Sequence, residues 1–265
     1  MSRSTPIVLS LSGHDPTGGA GIQADIETLF RLGCHPCTVI TALTEQDTVD
    51  VRRIFPQDPE EFLAQAMTLV ADLRVSVIKI GLLGSAAIAQ AAVVLLNRAP
   101  DVPVVLDPVL AAGGGKELTS EGLAAVLKYR LLPRTTLVTP NTQEARRLSG
   151  CSDLDDCAAT LLDCGCRYVL ITGTHDATEA VFNRLYGGAE VRTFRWPRLP
   201  GTYHGSGCTL AAAAAAFLAH GLDMESAVEK AQRFTWESLH AGYDLGSGQS
   251  LPNRQVPSGE PESGE

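Results

Sequence analysis

Short apolar runs alternate with longer amphipathic stretches along most of the chain, and each pairing predicts a strand followed by a helix. Residues 7–11 read as a first buried strand. The helix after it carries Ile22, Ile26, Leu29 and Phe30 on one face and stops at Gly33. Residues 37–43 are a second strand. Asp58-Pro59-Glu60-Glu61 has the marks of a helix start, a capping Asp followed by Pro and acids, and Phe62, Leu63, Ala66, Leu69, Val70 and Leu73 continue it at helical spacing. Further strands are expected at 77–80, 102–106, 137–138 and 168–172, with helices at 85–97, 120–129 and 155–163 between them. Residues 180–186 and 191–196 read as an antiparallel pair around Gly187-Gly188. Residues 211–220 form a buried helix, and a last helix starts at an Asp223 cap with Met224, Ala227, Val228, Ala231, Phe234 and Leu239 on its apolar face. Such alternation predicts an α/β sandwich: a mostly parallel sheet with helices on both faces. No compositional break divides the chain, so residues 1–245 are expected to be one domain. Residues 246–265, rich in Gly, Ser, Pro and Glu, are expected to be a disordered tail.

Composition narrows the function classes. Of the 265 residues, 45% are hydrophobic and 19% charged, as in an ordinary soluble globule. The formal net charge is -9 without a basic run, which argues against nucleic acid as a partner. The apolar run at 7–11 is too short for a signal peptide and that at 210–219 too short to span a bilayer, so no membrane role and a cytoplasmic location are expected. Seven cysteines, an odd number, do not suggest a disulfide framework. Cys34-His35-Pro36-Cys37 has CxxC spacing. It lies between a helix end and a strand start, rather than opening a helix as a redox motif would, and no second pair completes a zinc site.

The chemistry concentrates in His204-Gly205-Ser206-Gly207-Cys208-Thr209, which runs straight into the alanine-rich helix. Glycines there let the unpartnered N–H groups of a helix start converge on one point, and the helix dipole favours an anion at it. Cys208 falls in the first turn, where a helix N-terminus lowers a thiol pKa. It is either a base or nucleophile held against a bound anion, or a small residue packing the helix start. Gly19, Gly21 and Ala24 also match G-x-G-x-x-A, and Glu45 stands near the distance of a ribose-binding acid, which makes a dinucleotide-binding oxidoreductase a rival. Seven residues including Pro16 separate Leu11 from Gly19, however, whereas such a turn leaves its strand at once. No Gly-x4-Gly-Lys-Ser/Thr occurs. Asp107, Asn141 and Glu144 read alone as capping residues. With Asp25, Gln46, Thr172 and Cys208, they stand in or just after strand exits, where sheets of this kind bind ligands.

The segments 12–25 (Ser-Gly-His-Asp-Pro-Thr-Gly-Gly-Ala-Gly-Ile-Gln-Ala-Asp), 40–48, 106–109 with 139–145, and 204–209 together resemble the hydroxymethylpyrimidine/phosphomethylpyrimidine kinases of thiamine biosynthesis. These belong to the vitamin-kinase branch of the ribokinase-like fold, and the resemblance covers residues 7–242. It implies phosphorylation by ATP, with Mg2+, of the hydroxymethyl group of an aminopyrimidine and then of the monophosphate. It implies Gly13, Asp25, Thr44, Gln46, Leu82 and Val109 around the pyrimidine. Asp107 and Glu144 would hold magnesium, and Asn141, Thr172 and His204 would face the nucleotide. Gly205, Ser206, Gly207 and Cys208 would form the catalytic turn, with Cys208 where related sugar kinases carry an Asp base. The chain lacks two lysines common in such kinases, having Gly113 and Thr172-Gly173-Thr174-His175 instead. Lys116, beyond three consecutive glycines, is the candidate cation to replace them through a hinged loop. A pyridoxine-type kinase of the same fold and a non-catalytic pyrimidine-binding module are the alternatives, and relatives of this size suggest a homodimer.

Overall fold

Nearly continuous apolar strands need cover on both faces, and the chain meets that need with a three-layer sandwich. The computed structural model describes residues 5–110, 122–176 and 178–256. Strand β1 (Ile7–His14) lies parallel to β2 (His35–Gln46), and β3 (Val51–Pro56) adds to β2 antiparallel. On its other side β1 pairs with β4 (Val75–Ile80), and β5 (Val104–Leu106), β6 (Leu137–Val138) and β7 (Tyr168–Thr172) follow in parallel. The hairpin β8 (Ala180–Tyr186) and β9 (Arg192–Pro197) closes the far edge antiparallel, giving the order β3-β2-β1-β4-β5-β6-β7-β8-β9.

Period-two alternation divides the strands between two cores. Leu9, Leu11, Ile78 and Ile80 point to one face, where α2 (Pro59–Asp72), α3 (Ala86–Arg98), α5 (Thr142–Ser149) and α6 (Leu154–Asp163) cover them. Val8, Val77, Val105 and Leu170 point to the other, under α1 (Gly21–Arg31), α7 (Ser206–Ala219) and α8 (Met224–His240). Residues 211–216 of α7 are all alanine and fully buried, so this helix is enclosed on every side and its axis is fixed close to the sheet. Fixing that axis fixes where its N-terminus points.

Several elements differ from the sequence pattern. The helix expected at 120–129 is described from residue 122 on, as α4 (Leu123–Val126) followed by a π turn (Leu127–Leu131) and a 3₁₀ turn (Leu132–Arg134). Strand β3 was not anticipated, because an edge strand with two arginines and a terminal Pro has little apolar signal. It is held by the β2 ladder and by Arg53, which pairs with Glu45 at 2.6 Å. Strand β2 runs three residues further than expected, so Thr44 and Gln46 stand on a strand instead of a loop.

For residues 246–256 the expected disorder is also corrected. Gln249 N–H donates to Thr48 O at 2.8 Å, Ser250 N–H to Thr202 O at 3.0 Å, and Leu251 exchanges two backbone hydrogen bonds with Tyr243. Leu251 is 1% and Arg254 3% exposed. The Arg254 guanidinium reaches Thr209 Oγ1 at 3.0 Å, Glu27 Oε2 at 3.0 Å and the carbonyl of Gly19. One apolar anchor and one satisfied cation hold a segment whose average composition hides both. Leu251→Ala is therefore expected to lower the stability by about 2–5 kcal/mol in a denaturant titration. A mobile tail would give no change.

Candidate active site

The parallel strands deliver their carboxyl ends to one cavity of about 580 Å³. Gly13 and Asp15 enter it from the end of β1, Thr44 and Gln46 from β2, Leu82 after β4, and Asp107 and Val109 after β5. Asn141 and Glu144 come from the start of α5, and Thr172 from the end of β7. His204, Gly205, Ser206, Gly207 and Cys208 complete the wall at the start of α7.

Gly205 takes a left-handed conformation (φ +80°) at the N-cap of α7, and a Cβ there would collide with the carbonyl oxygen of Gly19. That contact turns the chain so that α7 starts facing the cavity. Asp58, Ser85, Asn141, Asp153 and Asp223 cap their helices with side chains, but α7 has no side-chain cap. The first N–H groups of α7 therefore face the cavity without a partner in their own helix. Gly207 turns its bare side to Asp107, whose Oδ2 would lie 3.7 Å from a Cβ at that position.

Asp107 and Glu144 line the same cavity. Burial raises the Asp107 carboxyl, opposed by the ammonium of Lys79. Burial also raises Glu144, and the negative charge of Asp107 raises it further. Asn141 and Glu144 do cap a helix as well: Asn141 Oδ1 accepts from the Gln143 and Glu144 N–H groups, and Glu144 Oε2 accepts from Asn141 N–H at 3.0 Å. The cap fixes the Glu144 carboxyl in place beside the cavity, so the structural and functional readings of these two residues coexist.

Gly13, Thr44, Gln46 and Leu82 form another part of the wall. A Cβ on Gly13 would come within 2.9 Å of Leu82 Cδ2, and Thr44 Oγ1 donates to His14 O at 2.9 Å. Gln46 lies with its Nε2 3.1 Å from Nε2 of His204, and the same His204 nitrogen is 2.8 Å from Asp15 Oδ2. His204 was expected to face the nucleotide. Its contacts are with Gln46 and Asp15 instead, because bare Gly19 lets the ring lie close against the turn after β1.

Three further expectations change. Asp25 does not line the cavity; it is fully buried beneath it, with its carboxylate 2.8 Å from Lys79 Nζ and accepting from Ser10 Oγ at 2.5 Å. Position 25 faces the sheet, where the buried Lys79 needs a counter-charge. Burial opposes the Lys79 charge, but the carboxylates of Asp25 and Asp107 overrule it and keep the ammonium protonated. Cys208 is not activated: burial pushes its thiol up to about 12, with Lys79 and a backbone hydrogen bond from Gly21 opposing and Asp107 and Asp25 adding to the rise. Lys116 lies outside the described residues, as does Gly113. Glu45, the acid of the dinucleotide-binding alternative, pairs with Arg53 and does not reach the cavity.

Sequence reasoning missed part of the wall. Asn183, Trp196, Gln232 and Trp236 line the end served by β8, β9 and α8. Gln232 Oε1 accepts from Asn183 Nδ2 at 2.8 Å and from Trp196 Nε1 at 3.0 Å, which makes this end rigid. Arg198 also lines the cavity, but its guanidinium donates to the carbonyls of Thr174, Asp176 and Thr178 and holds the loop after β7. Lys79 was visible as a lone charge inside an otherwise apolar strand, a signal that a buried counter-ion must exist.

Comparison with known proteins decides the family. A family model described as phosphomethylpyrimidine kinase matches residues 15–253. A hydroxymethylpyrimidine/phosphomethylpyrimidine kinase of Streptomyces coelicolor is 39% identical over 249 residues, covering 92% of each chain. Its counterpart in Escherichia coli K12 is 35% identical over 253 residues, covering 90% of this chain and 94% of that one. The chain belongs to the phosphomethylpyrimidine kinase family. Among solved structures, the pyridoxal kinase of Staphylococcus aureus in complex with pyridoxal superposes with a TM-score of 0.86 at 28% identity, covering 96% of this chain and 94% of that one. The phosphomethylpyrimidine kinase of Clostridium difficile gives 0.77 at 28% identity, covering 87% and 98%. The ribokinase-like three-layer fold is thus shared with both kinds of vitamin kinase, and the chain is a phosphotransferase. No described helix is long and apolar enough to cross a membrane.

In this kinase the state of Cys208 is open to direct test. A thiol held near 12 has a negligible thiolate fraction at neutral pH, and only the thiolate alkylates readily. Iodoacetamide labelling of Cys208, followed by peptide mapping without nucleotide, is expected to be slow at pH 7 and still accelerating above pH 9. Fast labelling that levels off below pH 8 would restore the activated thiol.

Proposed function

We propose that this kinase transfers the γ-phosphoryl group of ATP to the hydroxyl of 4-amino-5-hydroxymethyl-2-methylpyrimidine, and then phosphorylates the monophosphate to the diphosphate, in thiamine biosynthesis. The names of its relatives support the substrate, and complexes of the S. aureus pyridoxal kinase with ADP and AMP-PCP support the nucleotide. The observation that carries the reading is the uncapped start of α7 opening into a cavity that also holds Asp107 and Glu144. An anion cradle facing two carboxylates suits a phosphate that arrives with a cation.

The residues fit magnesium. Asp107 and Glu144 are two oxygen donors whose carboxyls are destabilised by burial, and for Glu144 by its neighbour's charge, a state that a cation relieves. Bound there, magnesium would neutralise charge on the phosphates. The N–H groups of Ser206, Gly207 and Cys208 stabilise the transferring phosphoryl group, in the manner of an oxyanion hole. Gly13, Thr44, Gln46, Leu82 and Val109 orient the ring so that its hydroxymethyl oxygen meets the γ-phosphorus. Asn141, Thr172, Trp196 and Trp236 form the nucleotide end. A bond forms between the hydroxyl oxygen and phosphorus, the bond to the bridging oxygen breaks, and ADP leaves. A loose phosphoryl-transfer transition state needs positioning and charge stabilisation more than a strong base. Cys208, with its proton retained, is a hydrogen-bond partner of the hydroxyl, and the hydroxyl proton passes late to an oxygen of the transferred group.

The pyridoxal kinases share the fold at 28% identity or thereabouts, below the 35–39% of the named pyrimidine kinases, so that reading is secondary. The test is turnover of hydroxymethylpyrimidine with ATP by the parent, Cys208→Ser and Cys208→Ala. The parent is expected to make the monophosphate and then the diphosphate. The Ser variant should stay within about tenfold of it, and the Ala variant should lose about 10²-fold in kcat. An inactive parent would end the proposal, and a Ser variant as slow as Ala would make the thiolate the base.

A further inference from the structure

A buried arginine stands behind the anion cradle. The Arg254 side chain is 2% exposed, while Glu27, its one acidic partner among the described residues, is 55% exposed. A bridge to a half-exposed carboxylate does not by itself offset the burial of a guanidinium. The remaining donors meet neutral acceptors. Nε donates to Thr209 Oγ1 at 3.0 Å, Nη2 to the carbonyl of Gly19, and Nη1 to the carbonyl of Gly18 at 3.5 Å. These acceptors belong to the turn after β1 and to the first turn of α7, so one planar fork spans the crossing at Gly205.

The donor count at Thr209 fixes a direction. A guanidinium only donates, so Thr209 Oγ1 is the acceptor at that contact. Its own proton goes to the Gly205 carbonyl, 2.9 Å away. Gly205 O also accepts from the Thr209 N–H at 2.9 Å, and both of its lone pairs are then engaged. A peptide group is planar and trans, so the Gly205 carbonyl and the Ser206 N–H lie on one plate and point in opposite directions. Drawing the carbonyl back along α7 therefore aims the Ser206 N–H forward, out of the helix start and into the wall that Ser206 helps to form. The restraint matters at this position, because Gly205 has φ +80° and a residue without Cβ lets its peptide rotate at little cost. A side-chain cap would also order the first turn, but it would occupy the N–H groups it orders. Here α7 has no such cap and is held from behind.

We propose that Arg254 and Thr209 are positioning residues for phosphoryl transfer, which hold the Gly205–Ser206 peptide so that the cradle is aimed before the phosphate arrives and its N–H groups stay free. Neither residue lines the cavity. The inference rests on the cradle stabilising the transferring phosphoryl group, as proposed above. The charge on Arg254 polarises the Thr209 hydroxyl and strengthens its donation to Gly205. A preorganised donor acts most strongly where charge develops in the transition state, so its misalignment lowers kcat and leaves KM nearly unchanged. An arginine that only anchored the end of the chain would do the reverse: its loss would lower the melting temperature and spare kcat.

The experiment is a double-mutant cycle on turnover of hydroxymethylpyrimidine with ATP, with melting temperatures recorded beside it. The variants are Arg254→Met, Thr209→Val, which keeps the shape of the side chain and removes its hydroxyl, and the two combined. Thr209→Ser and Glu27→Gln are the controls. Each single variant is expected to lower kcat about ten- to hundredfold and to leave KM for both substrates within about threefold. The double variant should fall no more than about threefold below the slower single one, because both residues act on one peptide. Thr209→Ser keeps the hydroxyl and should stay within about threefold of the parent in kcat. Glu27→Gln keeps every contact of Arg254 with the two turns and should stay within about twofold, whatever it does to the melting temperature. If Arg254→Met melts below the assay temperature, the contrast between Thr209→Val and Thr209→Ser carries the test. Parental kcat in Thr209→Val or in a folded Arg254→Met overturns the proposal and leaves Arg254 as an anchor of the chain end. Losses that multiply in the double variant overturn it as well, as does a Ser variant as slow as Val. A parent that phosphorylates neither pyrimidine would instead remove the underlying reading of the cradle, and this inference with it.

Discussion

Two stretches of backbone in van der Waals contact set the geometry of this molecule. The turn after β1 and the turn before α7 cross so closely that Gly205 can bear no side chain against the Gly19 carbonyl, and the β1 turn folds back on itself so that Gly21 can bear none against that of Gly13. Gly205 and Gly21 also both take positive φ, which any other residue adopts at a cost. The crossing joins the substrate-side loop to the anion cradle as one body. Arg254 reinforces it by binding the Gly19 carbonyl and Thr209 Oγ1 together, and Leu251 seals it over Gly19. The enclosed polyalanine stretch of α7 supplies the other half of the constraint, because a helix buried on every side cannot tilt its end out of the site.

On this frame the charges are arranged against their own solvation. Lys79, Asp25 and Asp107 are almost wholly removed from water at the base of the cavity. Each is tolerable only because the others are present, since an unpaired buried charge costs several kcal/mol, and a broken pair about 3–5 kcal/mol. Asp25 and Lys79 satisfy each other directly at 2.8 Å. Among the described residues Asp107 forms no ion pair at such a distance; the start of α7, a hydrogen bond with Cys208 and the Lys79 ammonium support it only in part. That side of the cavity is therefore electrostatically unbalanced, a state that suits the cation and nucleotide of the proposed function. The part of the wall around Gln46 is the opposite case. There Asp15 Oδ2 and the Gln46 amide both lie within hydrogen-bond distance of His204 Nε2, and Asp15 also accepts from Thr17 and Ala20.

Much of this was legible in the sequence, and the exceptions have physical causes. Period-two apolar runs and capped amphipathic stretches identify the parallel strands and most helices, because burial on two faces leaves few alternatives. The glycines and Cys208 of 205–208 mark the cradle, because only an unusual backbone needs them. Asp25 is misplaced by a motif that says which residue recurs and not which way it faces; its direction is set by Lys79, fifty-four positions away. The Cys208 thiol is misjudged because its helix position argues for a lowered pKa while tertiary burial, invisible locally, outweighs the dipole. Strand β3 and residues 246–256 are missed because edge pairing and two anchoring side chains leave almost no compositional trace. Trp196 and Trp236 look like ordinary apolar positions of β9 and α8 until the fold brings them to the same cavity wall as Thr172.

The central claim is that this cavity phosphorylates a hydroxymethyl group on an aminopyrimidine. The most direct measurement offers ATP with hydroxymethylpyrimidine, its monophosphate and pyridoxal to one preparation in parallel, following ADP release and identifying the phosphorylated products by mass. The account predicts phosphate transfer to both pyrimidines, with kcat/KM on hydroxymethylpyrimidine well above that on pyridoxal. A preference for pyridoxal, or ADP release that does not depend on either pyrimidine, would contradict it.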